Sequence, residues 1–138
     1  METNELTKAI IGAAIEVHRE LGPGLLESIY EEALCHELSL RGIAFVRQIP
    51  VQIAYKGVKL SSDLRADLFV ENQVVVDLKS KEQVAKVDLI VMRSYLRLLG
   101  ASVGLVLNFH VPVLREGVHR VVLNFQEPSP SAPPDLRH

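Results

Sequence analysis

Ala66-Asp67-Leu68-Phe69-Val70-Glu71-Asn72-Gln73-Val74-Val75-Val76-Asp77-Leu78-Lys79-Ser80 is the stretch that decides the fold. Ala66, Leu68 and Val70 alternate with Asp67, Phe69 and Glu71. Past the polar Asn72, Val74, Val76 and Leu78 alternate with Gln73, Val75, Asp77 and Lys79. Period-two alternation on both sides of a short polar break predicts a β-hairpin. Parity then fixes the register. With Glu71-Asn72-Gln73 as the loop, Val70 faces Val74, Leu68 faces Val76 and Ala66 faces Leu78, so the apolar sets share one face of a half-buried hairpin. A two-residue loop would set Leu68 against Asp77 and mix the faces. The three-residue loop places Asp67 directly opposite Asp77, with Lys79 two residues along on the same face.

Side chains directly opposite in an antiparallel pair have Cβ atoms ~4.5–5.5 Å apart, where like charges repel. A divalent cation is the natural compensation. Mg²⁺ favours oxygen ligands, takes one or two protein carboxylates and keeps several waters. Such an ion can activate a water near neutral pH and stabilise charge on a phosphoryl oxygen. Lys79 would add positive charge at a scissile phosphate or orient the attacking water. The plainer alternative is a solvent-facing strand on which Lys79 neutralises one carboxylate.

Around the hairpin the chain predicts further elements. Asn4 caps a helix over 4–21, with Leu6, Ile10, Ala14, Val17 and Leu21 on one face. Gly22-Pro23-Gly24 stops it. A second helix over 25–40 turns Ile29, Ala33 and Leu34 inward, while Glu27, Glu31 and Glu32 keep its other faces acidic. Phe45-Val46 and 51–55 read as strands or one bent strand, and Pro50 excludes an uninterrupted central strand there. Lys56-Gly57 turns the chain. A third helix over 81–99 ends at Gly100, and strands over 103–108 and 118–124 follow. The order α-α-β-β-β-α-β-β describes an α/β (α+β) domain, a mixed central sheet flanked by helices. One domain spans 1–125, and the Pro- and Ser-rich segment 126–138 reads as a disordered tail.

The length of 138 residues suits a single core, and 48% hydrophobic with 23% charged residues excludes a disordered chain. No apolar run approaches the ~20 residues of a membrane span. The acidic N-terminus lacks the plan of a secretory signal. Cys35, the single cysteine, excludes an internal disulfide and suits a reducing, cytoplasmic compartment. It reads as a buried, inert thiol. His18, His36, His110 and His119 have no ligand spacing and read as surface or boundary residues. An aromatic content of 5% with no Trp argues against a broad base-stacking surface. The net charge of −2 hides an asymmetry: residues 1–40 balance to −6 and residues 41–97 to +4. An acidic end facing solvent and a basic middle facing phosphates would fit this pattern, as would ordinary Glu-rich surface helices.

Gly24-Leu25-Leu26-Glu27-Ser28-Ile29-Tyr30 resembles the motif that names the GxxExxY proteins. Leu64-Arg65-Ala66-Asp67, Val76-Asp77-Leu78-Lys79, Tyr95-Leu96, Gly104-Leu105-Val106-Leu107-Asn108-Phe109 and His119-Arg120-Val121-Val122 resemble that family's later blocks, in the same order. The resemblance runs from about Leu6 to Leu123 and implies a PD-(D/E)XK nuclease-like (restriction endonuclease-like) core. It implies Asp67 and Asp77 as metal ligands, Lys79 as electrostatic stabiliser and Glu27 as an additional ligand or base. Asp77 stands where the family more often has Glu, and the shorter side chain should move the metal while still ligating it. Glu27 and Tyr30, three apart, share a helix face; for Tyr30 the competing reading is a half-buried core residue. The cofactor implied is Mg²⁺ or Mn²⁺, one or two ions, and the partner is nucleic acid, DNA first. Arg65, Tyr30 and a basic stripe of Lys86, Arg93 and Arg97 are the candidate contacts to it. One site per chain would call for a homodimer in double-strand cleavage. Asp88 and Val91 occupy positions where the family tends to carry His and Gln. Two functions follow: a metal-dependent nuclease, or a catalytically impaired nuclease-fold module that binds nucleic acid or a protein.

Overall fold

A computed structural model describes residues 1–123; the expected tail over 126–138, and the end of the expected domain at 125, lie outside the described residues. Helix α1, Thr3–Leu21, begins at Glu2, whose carboxylate accepts the Asn4 and Glu5 N–H groups. Asn4 is therefore inside the first turn and does not cap it. Its side-chain oxygen instead accepts a hydrogen bond from Arg120. Leu6, Ile10, Ala13, Ala14 and Val17 bury the inner face. Gly22 ends the helix at φ 71° and ψ 178°, a backbone conformation essentially restricted to glycine, and its N–H closes on the His18 carbonyl. His18, read as a surface or boundary residue, is buried, and its ring nitrogen bonds the Val111 carbonyl at 2.8 Å.

Helix α2, Glu27–Leu40, starts two residues later than the pattern suggests. Tyr30, Leu34 and Leu38 turn inward at four-residue spacing, while Ile29 is 42% exposed. The swap of Ile29 for Tyr30 has a cause. The Tyr30 ring stacks on Phe109 with centroids 4.4 Å apart, and its hydroxyl donates to the Gly22 carbonyl while accepting the Leu25 N–H. Tyr30 thus locks the Gly22-Pro23-Gly24 turn to the core.

Five strands form the main sheet in the order β1-β4-β5-β6-β7: Phe45–Pro50, Arg65–Val70, Val74–Lys79, Val103–Asn108 and Val118–Val122. Pro50 ends β1, an edge strand, where a missing N–H is tolerated. A small ribbon of β2, Ala54–Tyr55, and β3, Val58–Lys59, projects between β1 and β4 around the Lys56-Gly57 turn. The β4–β5 register is the one parity requires, with Leu68 on Val76, Phe69 on Val75 and Val70 on Val74. Strand β6 runs parallel to β5, and helix α3, Lys86–Leu99, makes the crossover.

The sheet is covered on both faces, so the hairpin is not half-buried. Helices α1 and α2 pack on Leu68, Val70, Val74, Val76 and Leu78. Helix α3 packs Met92, Tyr95 and Leu96 against Phe69, Val75, Val106 and Val121. Ala66 belongs to this second layer and not with Leu68, since the β4–β5 pairing ends at Leu68–Val76. Gly104 lets α3 approach: a Cβ there would collide with the Met92 sulfur.

Helix α3 begins at Lys86, not at Lys81. Asn108 holds Lys81 in a bend ahead of the helix, accepting its N–H and donating to its carbonyl, and the Asp88 carboxylate accepts the Ala85 N–H to start the helix there. Among the described residues, no helix is long and apolar enough to cross a membrane.

Candidate active site

The site forms where β4 and β5 part. Beyond Leu68–Val76 the next ladder position is taken over by a side chain: Asp67 Oδ2 accepts the Leu78 N–H at 2.7 Å. Asp67 therefore sits at the mouth of the opening strands, against Asp77 of β5. Asp77 is 7% exposed, and its Oδ2 lies 3.3 Å from the Lys79 ammonium. Three residues of one hairpin thus concentrate two carboxylates and one ammonium at a single strand end.

Electrostatics follow from that crowding. Burial first, and then the Asp77 charge, push the Asp67 carboxyl up to about 7. Its hydrogen bond with Asp77 and the nearby Glu31 charge act in the same direction, and the Leu78 N–H opposes them. Burial and the neighbouring charge thus favour the protonated form of Asp67 far more than in a free aspartate. Burial works against the Lys79 charge, but Asp77, with Glu27 and Asp88 further out, outweighs it and holds the ammonium above its ordinary range. Burial and the Asp77 charge also raise the Tyr95 hydroxyl of α3.

The other sequence candidates are distributed as follows. Glu27 is exposed in the first turn of α2, and its charge reaches Lys79. It does not complete a three-carboxylate cluster: among the described residues, no three His, Cys, Asp or Glu side chains gather closely enough to hold a metal ion. Tyr30 is fully buried and has no ring face to offer to a nucleic acid. Arg65 is exposed at the start of β4 and donates to the Gln48 carbonyl at 3.4 Å. Lys86, Arg93 and Arg97 are all exposed on α3. Asp88 has a structural task, since it pairs with Lys81 and starts α3. Burial raises its carboxyl, but Lys81 and the Ala85 N–H outweigh that and hold it below the usual range. Val91 lies between Asp88 and Tyr95 at helical spacing and is 36% exposed.

Sequence reasoning misses two residues that join the site from behind. Glu31 is buried in α2, where it accepts hydrogen bonds from Arg47 and, at 2.8 Å, from the Gln48 amide. The same amide nitrogen lies 3.5 Å from Asp67 Oδ1. Cys35 is buried and unpaired as expected, its thiol pushed up mainly by burial.

A donor set of two crowded carboxylates with one ammonium fits a hard divalent cation. Mg²⁺ needs no more than one or two protein carboxylates, so the lack of a third is compatible with it. A mixed sheet with Asp67 on one hairpin strand and Asp77-Leu78-Lys79 on the next defines a nuclease-like class of domain. The family model for the PD-(D/E)XK nuclease superfamily matches residues 4–121, and the chain belongs to that superfamily. Comparison with curated proteins and with solved structures gives no match.

Proposed function

We infer that the chain is a metal-dependent nuclease hydrolysing phosphodiester bonds of nucleic acid, with DNA the first substrate to test. The observation that carries this reading is the crowded Asp67–Asp77 pair, with one carboxyl raised to about 7 despite the Leu78 N–H bonded to it, and the Lys79 ammonium beside Asp77. Asp67 and Asp77 would hold Mg²⁺ or Mn²⁺. Bound there, the ion supplies water activation and charge stabilisation at the phosphoryl oxygens. Lys79, fixed by Asp77, presents its ammonium where negative charge develops on the phosphate. Glu27, outside the pair, would act on water or substrate from the rim. Arg65, Lys86, Arg93 and Arg97 would contact phosphates, and cleavage of both strands would bring two copies together. The resemblance to GxxExxY proteins and the lone Cys35 support a cytoplasmic member of that group.

A second reading has its own observation. Val91 lies exposed on α3 at helical spacing between Asp88 and Tyr95, where an amide would be able to bond water or substrate and an isopropyl group cannot. A binding module without turnover would follow. Calorimetric titration of Mn²⁺ into the wild type and Asp77→Ala, with cleavage assays on duplex, single-stranded and branched DNA, separates the readings. The nuclease reading requires metal uptake lost in Asp77→Ala together with metal-dependent cleavage. Uptake without cleavage of any substrate favours the module, and Val91→Gln is then the rescue variant. Neutralising Arg93 and Arg97 should weaken DNA binding and lower the log–log salt slope by ~0.9 for each phosphate no longer neutralised.

A further inference from the structure

Gln48 is a left-handed residue in the middle of a strand. Its neighbours Arg47 and Ile49 pair regularly with Leu68 and Ala66 of β4, which puts Gln48 at the register position opposite Asp67. At that position its φ is 54°, a region that residues other than Gly, Asn and Asp seldom enter. Strain held in a native strand marks a position that the surroundings over-determine. Here the surroundings are two acids. One N–H of the amide is committed to Glu31 Oε1 at 2.8 Å, and the nitrogen stands 3.5 Å from Asp67 Oδ1. Glu31 is anchored in turn by Arg47, the residue just before Gln48.

Asp67 is therefore approached from both flanks, by the Leu78 backbone N–H on β5 and by the Gln48 amide on β1. We propose that Gln48 is a positioning residue of this site: seated on Glu31, its amide sets the orientation of the Asp67 carboxylate toward the cation. The proposal rests on the metal-site reading above and extends it to α2 through Glu31, not through Glu27. The 3.5 Å separation from Asp67 is long, and catalytic hydrogen bonds in ligand-free sites commonly are.

The test uses the full chain with Mn²⁺ as probe. Glycine adopts φ 54° without strain, so Gln48→Gly should match or exceed the wild type in thermal midpoint. It should bind Mn²⁺ about tenfold more weakly, the effect of losing a partner behind a metal ligand. Gln48→Asn, which also tolerates the left-handed region but is one methylene too short, should weaken Mn²⁺ similarly if the glycine variant fails to fold. Mn²⁺ affinity within about twofold of wild type in the folded variant, well short of that tenfold effect, overturns the proposal. A second readout needs no metal. Asp67→Ala should shift the Gln48 side-chain amide in ¹H–¹⁵N spectra and speed its exchange with water, and an unmoved resonance also overturns the assignment. A wild type that takes up no Mn²⁺ overturns the metal reading, while the amide signature still decides whether Gln48 orients Asp67.

Discussion

The two ends of the β4–β5 hairpin are built on opposite principles. At the turn end, Val70 and Val74 face each other, Phe69 and Val75 cover the other side, and all four are buried between α-helical layers. The loop is tied back by a Gln73 N–H to Val70 carbonyl bond and by the Glu71 carboxylate on the Ala44 N–H. At the open end the ladder stops, a carboxylate takes the place of a backbone acceptor, and two acids meet beside one lysine. The same two strands bury apolar side chains at one end and crowd charged ones at the other. A short hairpin suffices because β-pairing is local, so the apolar end can hold the crowded end in register without touching it.

The largest expected effect falls at the open end and on activity. If the chain cleaves DNA, Lys79→Ala should reduce the rate by about 10²–10³-fold, as removal of one charge stabiliser does. Asp67→Ala and Asp77→Ala should reduce it at least as far, with melting temperatures close to wild type. A rate that survives either aspartate change would move the chemistry elsewhere. Next in size comes a change at the apolar end. Leu68→Ala should destabilise by ~2–5 kcal/mol in urea unfolding, because it empties a fully buried volume under α1 and α2. Its Mn²⁺ affinity below the transition should stay near wild type. A coupled loss of both would mean that the two ends are not separable.

The comparison also explains what is legible in the sequence. The hairpin register is readable because one parity alone keeps Leu68, Val70, Val74, Val76 and Leu78 together, and the Asp67–Asp77–Lys79 grouping comes with it. The fate of Ala66 is not readable, since alternation assumes a ladder that the Asp67 carboxylate interrupts. Sequence pattern starts helix α3 too early because Lys81-Glu82-Gln83 are good helix formers, and nothing local reveals that Asn108, far along the chain, clamps Lys81. Glu31 and Glu32 look alike on an acidic helix; only the approach of Arg47 and Gln48 from β1 distinguishes them. Gln48 carries no signal, because a left-handed glutamine is invisible to strand periodicity. Tyr30 and Ile29 are adjacent, and the stack on Phe109 decides between them.

A third effect is a pH dependence confined to the open end. The Asp67 carboxyl is raised to about 7 in the folded chain against 3.8 for an unperturbed aspartate. Between these values the native state holds a proton that the unfolded state has released. Stability of the metal-free protein should therefore fall as pH rises from about 4 to about 7 and level off above. Thermal unfolding across that range checks the slope. Asp67→Asn should flatten it, and saturating Mg²⁺ should offset the loss near neutral pH. A slope of the opposite sign would mean that Asp67 is held ionised by partners stronger than those observed.

The smallest effect is the most discriminating for the crowded pair itself. Asp77→Asn removes one of two facing charges and leaves a side chain of the same shape, whose amide can donate to ionised Asp67. Against this gain stands the lost ion pair with Lys79, but that ammonium is partly exposed and still feels Glu27 and Asp88. The repulsion should dominate at neutral pH, so the metal-free variant should be unchanged or more stable by ~0.2–1 kcal/mol, the scale of one cross-strand pair. Added Mg²⁺ should invert the order, since an ion that binds only the native wild type raises its stability by mass action. A loss of several kcal/mol in the metal-free variant would instead make Asp77 the anchor of a structural hydrogen-bond network. The open end would then resemble the turn end, with its charges serving the fold and not a cation.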